Sequence, residues 1–241
     1  MSAGGFLKSF MVKHPQMTSI MIPMINRLLG RNTFRVRGKG NKLDINRSLL
    51  LRSRILISGN NNTIIVGDRS ILYRSKITIC GNNNRIEIGD SVSCKVGDFS
   101  FEDDNGSISI GSNTTISGHT HLACIEGKSI RIGKDCLFSS DIIFRVGDSH
   151  SILNMDGKRI NPSKDISVGD HVWISYNTTL TKGAEVANDS IVGTGAIVTK
   201  KFSQPNVIIA GVPAEIIKKN INWDKNRIEI IETGKDTGEK C

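Results

Sequence analysis

Large rings are scarce in this chain: aromatic residues make up 5% of it, with two Trp and two Tyr, and there are only 5 prolines. A core built mainly on aromatic packing is therefore not expected. Long apolar runs are missing too: the longest stretch, around Ile20 to Ile25, is broken by Pro23 and falls short of the ~20 residues a bilayer-spanning helix needs. Lys8 and Lys13 interrupt what would be the apolar core of a secretory leader, and no small-residue cleavage site follows, so the expected location is cytoplasmic. The 5 cysteines (Cys80, Cys94, Cys124, Cys136 and Cys241) include no C-x-x-C and no paired metal spacing. In a chain of 241 residues, too long to need a disulfide scaffold, they read as reduced, packed thiols. Acidic residues are absent from positions 1–43, which hold eight Lys and Arg; of the net +9 this leaves +1 for the remainder. The basic character belongs to one end, and nothing calls for a nucleic-acid partner.

Apolar residues at 38% together with 24 Gly bring the composition near that of ordinary globular chains, and the length fits one long domain with appendages. A repeat organises it. Val66-Gly67-Asp68, Ile88-Gly89-Asp90, Ile110-Gly111-Ser112 and Ile132-Gly133-Lys134 recur every 22 residues. Gly59-Asn60-Asn61-Asn62 and Gly81-Asn82-Asn83-Asn84 precede the first two, and Asp103-Asp104-Asn105-Gly106 the third; a weaker copy runs from Gly38 to Ile45. Further on, Val168, Ile174, Leu180, Val186, Val192 and Val198 recur every six residues. A period of six matches neither the helical 3.6 nor the strand period of two, and describes short strands joined by tight corners. Three such sides make a coil of about 18 residues, and the 22-residue spacing adds a short bulge at the Asn-rich corner. Each inward Val, Ile or Leu contributes roughly 1.5–3 kcal/mol by burial.

Ile166-Ser167-Val168-Gly169-Asp170-His171-Val172-Trp173-Ile174, Val192-Gly193-Thr194-Gly195-Ala196-Ile197-Val198-Thr199-Lys200 and Ala210-Gly211-Val212-Pro213-Ala214 resemble the hexapeptide-repeat acyltransferases. That resemblance implies an all-β solenoid, a left-handed parallel β-helix, over residues 38–219; the residues on either side read as a basic, partly helical N-terminal cap at 1–37 and a charged tail at 220–241, frayed from Asp224 to Cys241. Handedness follows only from the resemblance, since the periodicity fits either hand.

Between Ile132-Gly133 and Val168-Gly169 the spacing widens to 36 residues, and the surplus is a polar loop at 147–164. Gly147-Asp148-Ser149-His150-Ser151-Ile152 resembles the loop that presents the catalytic histidine in sugar O-acetyltransferases of this family. An imidazole with an ordinary pKa near 6.5 suits a general base toward a sugar hydroxyl, so His150 is the expected catalytic residue, against the plainer reading of a surface-loop histidine. His119 and His121 project to one face and are candidates to line the acceptor site, or are simply an outward pair. His171 reads as structural, at a corner, and His14 lies outside the repeats.

The resemblance further implies acetyl-CoA as donor, held between neighbouring β-helices of a homotrimer. Matching positions are Trp173 as a wall and Tyr176, Thr194, Thr199, Lys200, Lys201 and Lys218 along the cofactor. A zinc site of the kind found in β-helix carbonic anhydrases needs three protein ligands; His119, His121 and His150 lack that class's spacing, so no metal is expected. The implied function is O-acetylation of a carbohydrate. N-acylation of an amino-sugar nucleotide and a non-catalytic scaffold binding glycans at its Asn-rich corner stand as alternatives. Residues 1–43 cap the open end of the solenoid or touch an anionic polysaccharide or a membrane surface.

Overall fold

A computed structural model describes residues 15–45 and 47–229; His14, Cys241 and the outer parts of the cap and tail lie outside the described residues. Helix α1 (Pro15–Leu28) is followed by 25 short strands, β1–β25 in chain order, in three sheets that form the sides of a triangular prism. Sheet A takes β1 (Thr33–Arg37), β4 (Arg54–Ser58), β7 (Lys76–Cys80), β10 (Gly97–Phe101), β13 (Thr120–Cys124), β16 (Ile142–Arg145), β19 (Thr179–Thr181) and β22 (Ile197–Val198). Sheet B runs from β2 (Lys42–Asp44) to β23 (Lys201–Phe202), and sheet C from β3 (Leu49–Leu51) through β18 (Trp173–Ile174) to β24 (Val207–Gly211) and β25 (Ala214–Lys219). Every pairing is parallel except β24 with β25, which closes sheet C as a hairpin. The chain thus winds as a parallel β-helix, as its period requires.

The register stacks like on like. Ile55, Ile77, Phe99, Leu122, Phe144, Leu180 and Val198 form one inward column of sheet A, all buried. The few aromatics are not distributed evenly: Phe99, Phe101, Phe138 and Phe144 fill the middle coils, with the Phe138 and Phe144 rings 5.8 Å apart. Gly97 makes room for this, because a Cβ there would stand 2.7 Å from the Phe99 ring.

At the A–B corner the Asn tracts form ladders. Asn62 Oδ1 accepts from the Asn84 amide nitrogen at 2.9 Å, and Asn84 Oδ1 in turn from Gly106 at 2.8 Å. Asn61, Asn83 and Asn105 take φ of 56, 57 and 61°, the left-handed region that asparagine tolerates.

Two boundaries differ from expectation. The first coil starts at Thr33, since β1 pairs along its whole length with β4, so the solenoid reaches upstream of residue 38. At the other end residues 224–229 are not frayed: Lys225 reaches the Asn113 carbonyl at 3.3 Å, and just ahead of them Ile221 donates to the Asn206 carbonyl at 3.0 Å. The anchor is Trp223, stacked on His171 with centroids 4.3 Å apart while its Nε1–H donates to the His171 carbonyl at 2.8 Å. At the N-terminal end Asn26 ties α1 to sheet C, donating to the Ser48 carbonyl and accepting from the Leu50 amide, both at 2.8 Å.

Candidate active site

Sheet A delivers its sixth strand, β16, to the A–B corner, and there the chain leaves the coil between Arg145 and Ile166. No period governs this excursion; polar side chains hold it. Asn161, only 5% exposed, donates from Nδ2 to Asp148 Oδ2 and to the His150 carbonyl, each at 2.8 Å. Its Oδ1 accepts from the Ile152 amide at 2.8 Å and from Arg159 Nε at 3.1 Å. Lys182, from the next coil, pairs with Asp148; that contact and the Asn161 bond hold the Asp148 carboxyl below the usual carboxylate range. Glu126 binds the far side of the loop, pairing with Arg159 and accepting from the Ser163 amide at 3.1 Å. The bond from Ser163 comes first among the causes that depress the Glu126 pKa.

His150 therefore has a backbone clamped at its carbonyl and an exposed side chain. Among the described residues its ring makes no hydrogen bond or ion pair. Asn161 is the residue that reasoning on sequence missed; its only signal was a position inside the surplus segment.

Beside the loop lies the outer face of sheet A. Arg145 donates to the Ser149 hydroxyl at 3.1 Å, tying that face to the loop. His121 is half-buried on β13 with Nε2 3.2 Å from Ser100 Oγ, and burial lowers its pKa, opposed by nearby Asp98. His119 sits at the preceding corner, exposed, with Nδ1 3.7 Å from Asp141. The two imidazoles share the outer surface. His171 belongs elsewhere: at the B–C corner, φ 52°, it is held by Asp189 at 2.9 Å and by Trp223.

The residues matched to the cofactor divide among several surfaces of the prism. Trp173 projects outward from sheet C, 38% exposed, with the Trp223 ring 6.1 Å away. Tyr176 and Thr194 are brought together at the C–A corner, one coil apart, where Gly195 donates to the Tyr176 carbonyl at 2.9 Å. Thr199 and Lys200 follow β22 at the A–B corner, with Lys200 paired to Glu215 at 2.6 Å. Lys201, on sheet B, pairs with Glu185 at 3.3 Å, and Lys218 is on the β25 edge opposite Ile208. One chain does not gather these groups around a single ligand. Among the described residues no three His, Cys, Asp or Glu side chains converge as metal ligands. No helix among them is long and apolar enough to cross a membrane.

No family model matches the chain. It is 34% identical over 199 residues to a polysialic acid O-acetyltransferase of Neisseria meningitidis, a match spanning 82% of this chain and 92% of the relative. It is 35% identical over 129 residues to a polysialic acid O-acetyltransferase of Escherichia coli O1:K1 / APEC, covering 52% of this chain and 41% of that relative. The crystal structure of the polysialic acid O-acetyltransferase OatWY superposes with a TM-score of 0.79 at 32% identity, over 83% of this chain and 94% of that one.

Proposed function

The chain belongs to the hexapeptide-repeat acetyltransferases, left-handed β-helix enzymes with acetyl-CoA as donor, and from that premise we propose that it acetylates a hydroxyl of a polysaccharide with His150 as general base. The observation that carries the reading is the loop itself: a clamped backbone presenting an exposed imidazole whose nitrogens are not committed to structure. His150 takes the hydroxyl proton as the acceptor oxygen attacks the thioester carbonyl carbon. The C–S bond then breaks, and CoA leaves as a thiolate that recovers the proton from the imidazolium. Backbone N–H groups near the corner stabilise the oxyanion in between.

Because the loop leaves the A–B corner while Trp173, Tyr176 and Thr194 occupy sheet C and the C–A corner, the reading needs neighbouring copies. A homotrimer brings the loop of one chain to the donor side of the next. Acetyl-CoA as donor accords with a cytoplasmic location.

The test is turnover of acetyl-CoA, followed as free CoA thiol, with hydroxylated polysaccharides as acceptors. Transfer to give a hydroxylamine-labile ester, lost in His150→Ala, is the expected result. A hydroxylamine-stable amide product selects the amino-sugar alternative, and glycan binding without any turnover selects the scaffold.

A further inference from the structure

The first coil ends the inward columns of the core without covering them. Phe34 and Val36 on β1 stand in register with Ile55 and Ile57, which are buried, yet each of the first two is 43% exposed. Among the described residues the cover at this end is α1, which sits on the sheet C side. Ile22 and Asn26, four apart, are its buried face, and Asn26 bonds the Ser48 carbonyl and the Leu50 amide at the β3 edge. The edge groups of a parallel ladder point along the solenoid axis, so the opposite face of α1 looks along that axis, away from the coils. That face carries Met24, Arg27 and Leu28, at i, i+3 and i+4, and Leu29 follows. Leu28 and Leu29 are 68% and 70% exposed.

Charge at this end has one sign. Arg27, Arg31, Arg35, Arg37, Lys39 and Lys42 are exposed, none has an acidic partner among the described residues, and no Asp or Glu precedes Asp44 in the chain. Two demands therefore meet on one face: large apolar side chains without cover, and cations without counter-charge. A soluble polyanion would match the cations and leave Met24, Leu28, Leu29, Phe34 and Val36 in water. A second copy set end to end would cover the apolar groups and press two like-charged faces together. An anionic lipid surface answers both, taking the apolar side chains at its acyl boundary and the cations among its headgroups.

We propose that the chain docks by this end on an anionic membrane surface, with the solenoid axis near the membrane normal. The contact is peripheral, made by the outward face of α1 and the open first coil. Five rungs separate β1 from β16, so at ~4.8 Å per rung the start of the His150 loop stands about 24 Å from the headgroups. The inference is separate from the acetyl-transfer reading, since docking requires neither the donor nor His150.

The test is cosedimentation of the full chain with sucrose-loaded vesicles, either of phosphatidylcholine alone or with about 30% phosphatidylglycerol. Wild type is expected to bind the anionic vesicles at least about tenfold more tightly, and less so as salt rises. Leu28→Ser/Leu29→Ser lowers that affinity about tenfold and keeps the salt dependence. Arg27→Glu/Arg35→Glu lowers it at least as much and flattens the salt dependence. Both variants keep the wild-type melting temperature, because the replaced side chains are exposed. The control Ile217→Ser/Lys219→Glu makes the same kinds of change at exposed positions of β25, at the opposite end, and binds as wild type does. The docking is overturned by any of four results: no binding to either vesicle, equal binding to the two, undiminished binding by Leu28→Ser/Leu29→Ser, or an equal loss in the β25 control. The third of these marks a purely electrostatic contact of the kind a soluble polyanion makes. Sedimentation without lipid that finds a larger assembly, lost in Leu28→Ser/Leu29→Ser, also overturns it and assigns the face to a second copy. Transfer to a soluble acceptor stays unchanged in Leu28→Ser/Leu29→Ser; vesicle binding by a chain that transfers no acetyl supports the docking and overturns the transferase reading alone.

Discussion

Asn161→Ala separates the order of the loop from the stability of the fold. Four hydrogen bonds end on this buried amide: to Asp148, to the His150 carbonyl, from Ile152 and from Arg159. At ~0.5–1.5 kcal/mol net each, their loss weakens the local hold by about 2–6 kcal/mol. The Lys182–Asp148 and Arg159–Glu126 pairs remain, so the loop stays attached but samples open forms. Once those forms predominate, each ~1.4 kcal/mol of further bias costs a factor of ten in the competent population. We expect kcat to fall about 10- to 100-fold, with the apparent pKa of the kcat profile unmoved. The Ile152 amide should exchange its proton much faster. Thermal stability should change by less than about 2 °C, because the lost bonds lie outside the stacked core. By contrast Leu180→Ala, which empties a fully buried position, costs about 2–5 kcal/mol. Asn161→Asp should be no better than Ala, since a carboxylate cannot donate and faces Asp148. The reasoning fails if Asn161→Ala melts as early as Leu180→Ala, or if kcat stays within twofold while the Ile152 amide exchanges freely.

His150→Ala should lower kcat by about 10²–10⁴ while CoA binding, measured by titration calorimetry, persists. Dilution to a monomeric state, followed by sedimentation, should abolish tight acetyl-CoA binding; a fully active monomer contradicts the shared site. Asn62→Ala leaves the buried Asn84 amide and Gly81 carbonyl without their partner and should cost about 2–5 kcal/mol in urea unfolding, whereas Asn60→Ala, on the exposed ladder, should cost under about 1 kcal/mol. Burial holds the His121 pKa below its ordinary 6.5, so the unfolded chain takes up the proton first. Stability is complete above about pH 6.5 and declines as pH falls through that value toward the lower folded pKa. His121→Asn should flatten that part of the stability profile.

The coils were legible because each contacts only its neighbours at a fixed offset, so the pattern of Ile and Val writes the register directly into the chain: Ile64, Ile86, Ile108 and Ile130 stand at their repeat spacing and stack in that order. The position of the loop was legible for the same reason, as a break in the count. What escaped lies where no offset applies. Nothing in the spacing announces that Asn161 turns back on Asp148, that Lys182 reaches across from the following coil, or that Trp223 returns to cover His171, 52 residues away. The basic end was visible as a composition. That its bases continue along one side, past the N-terminal segment to Arg74 and Lys76, became apparent only when the three sides were assigned. The start of the solenoid at Thr33 was missed because Thr33-Phe34-Arg35-Val36-Arg37 precedes the first Gly-Asn corner and carries no repeat mark of its own.

The equivalence of successive corners makes the solenoid adjustable in length. Gly59 and Gly81 occupy the same place one coil apart, with φ of 148 and 146°, and Ser58 pairs with Cys80 just before them. Excising residues 59–80 would join Ser58 to Gly81 in the geometry that Gly59 now has, and the inward columns would close with Ile57 followed by Ile86, as now by Ile64. Such a deletion leaves the loop, its clamp and both ends intact while bringing the terminal arginines one rung, ~4.8 Å, nearer to His150. Duplication of the same segment moves them one rung away. Lineages of such chains can therefore change reach by whole coils, in a single genetic step, without redesigning any contact.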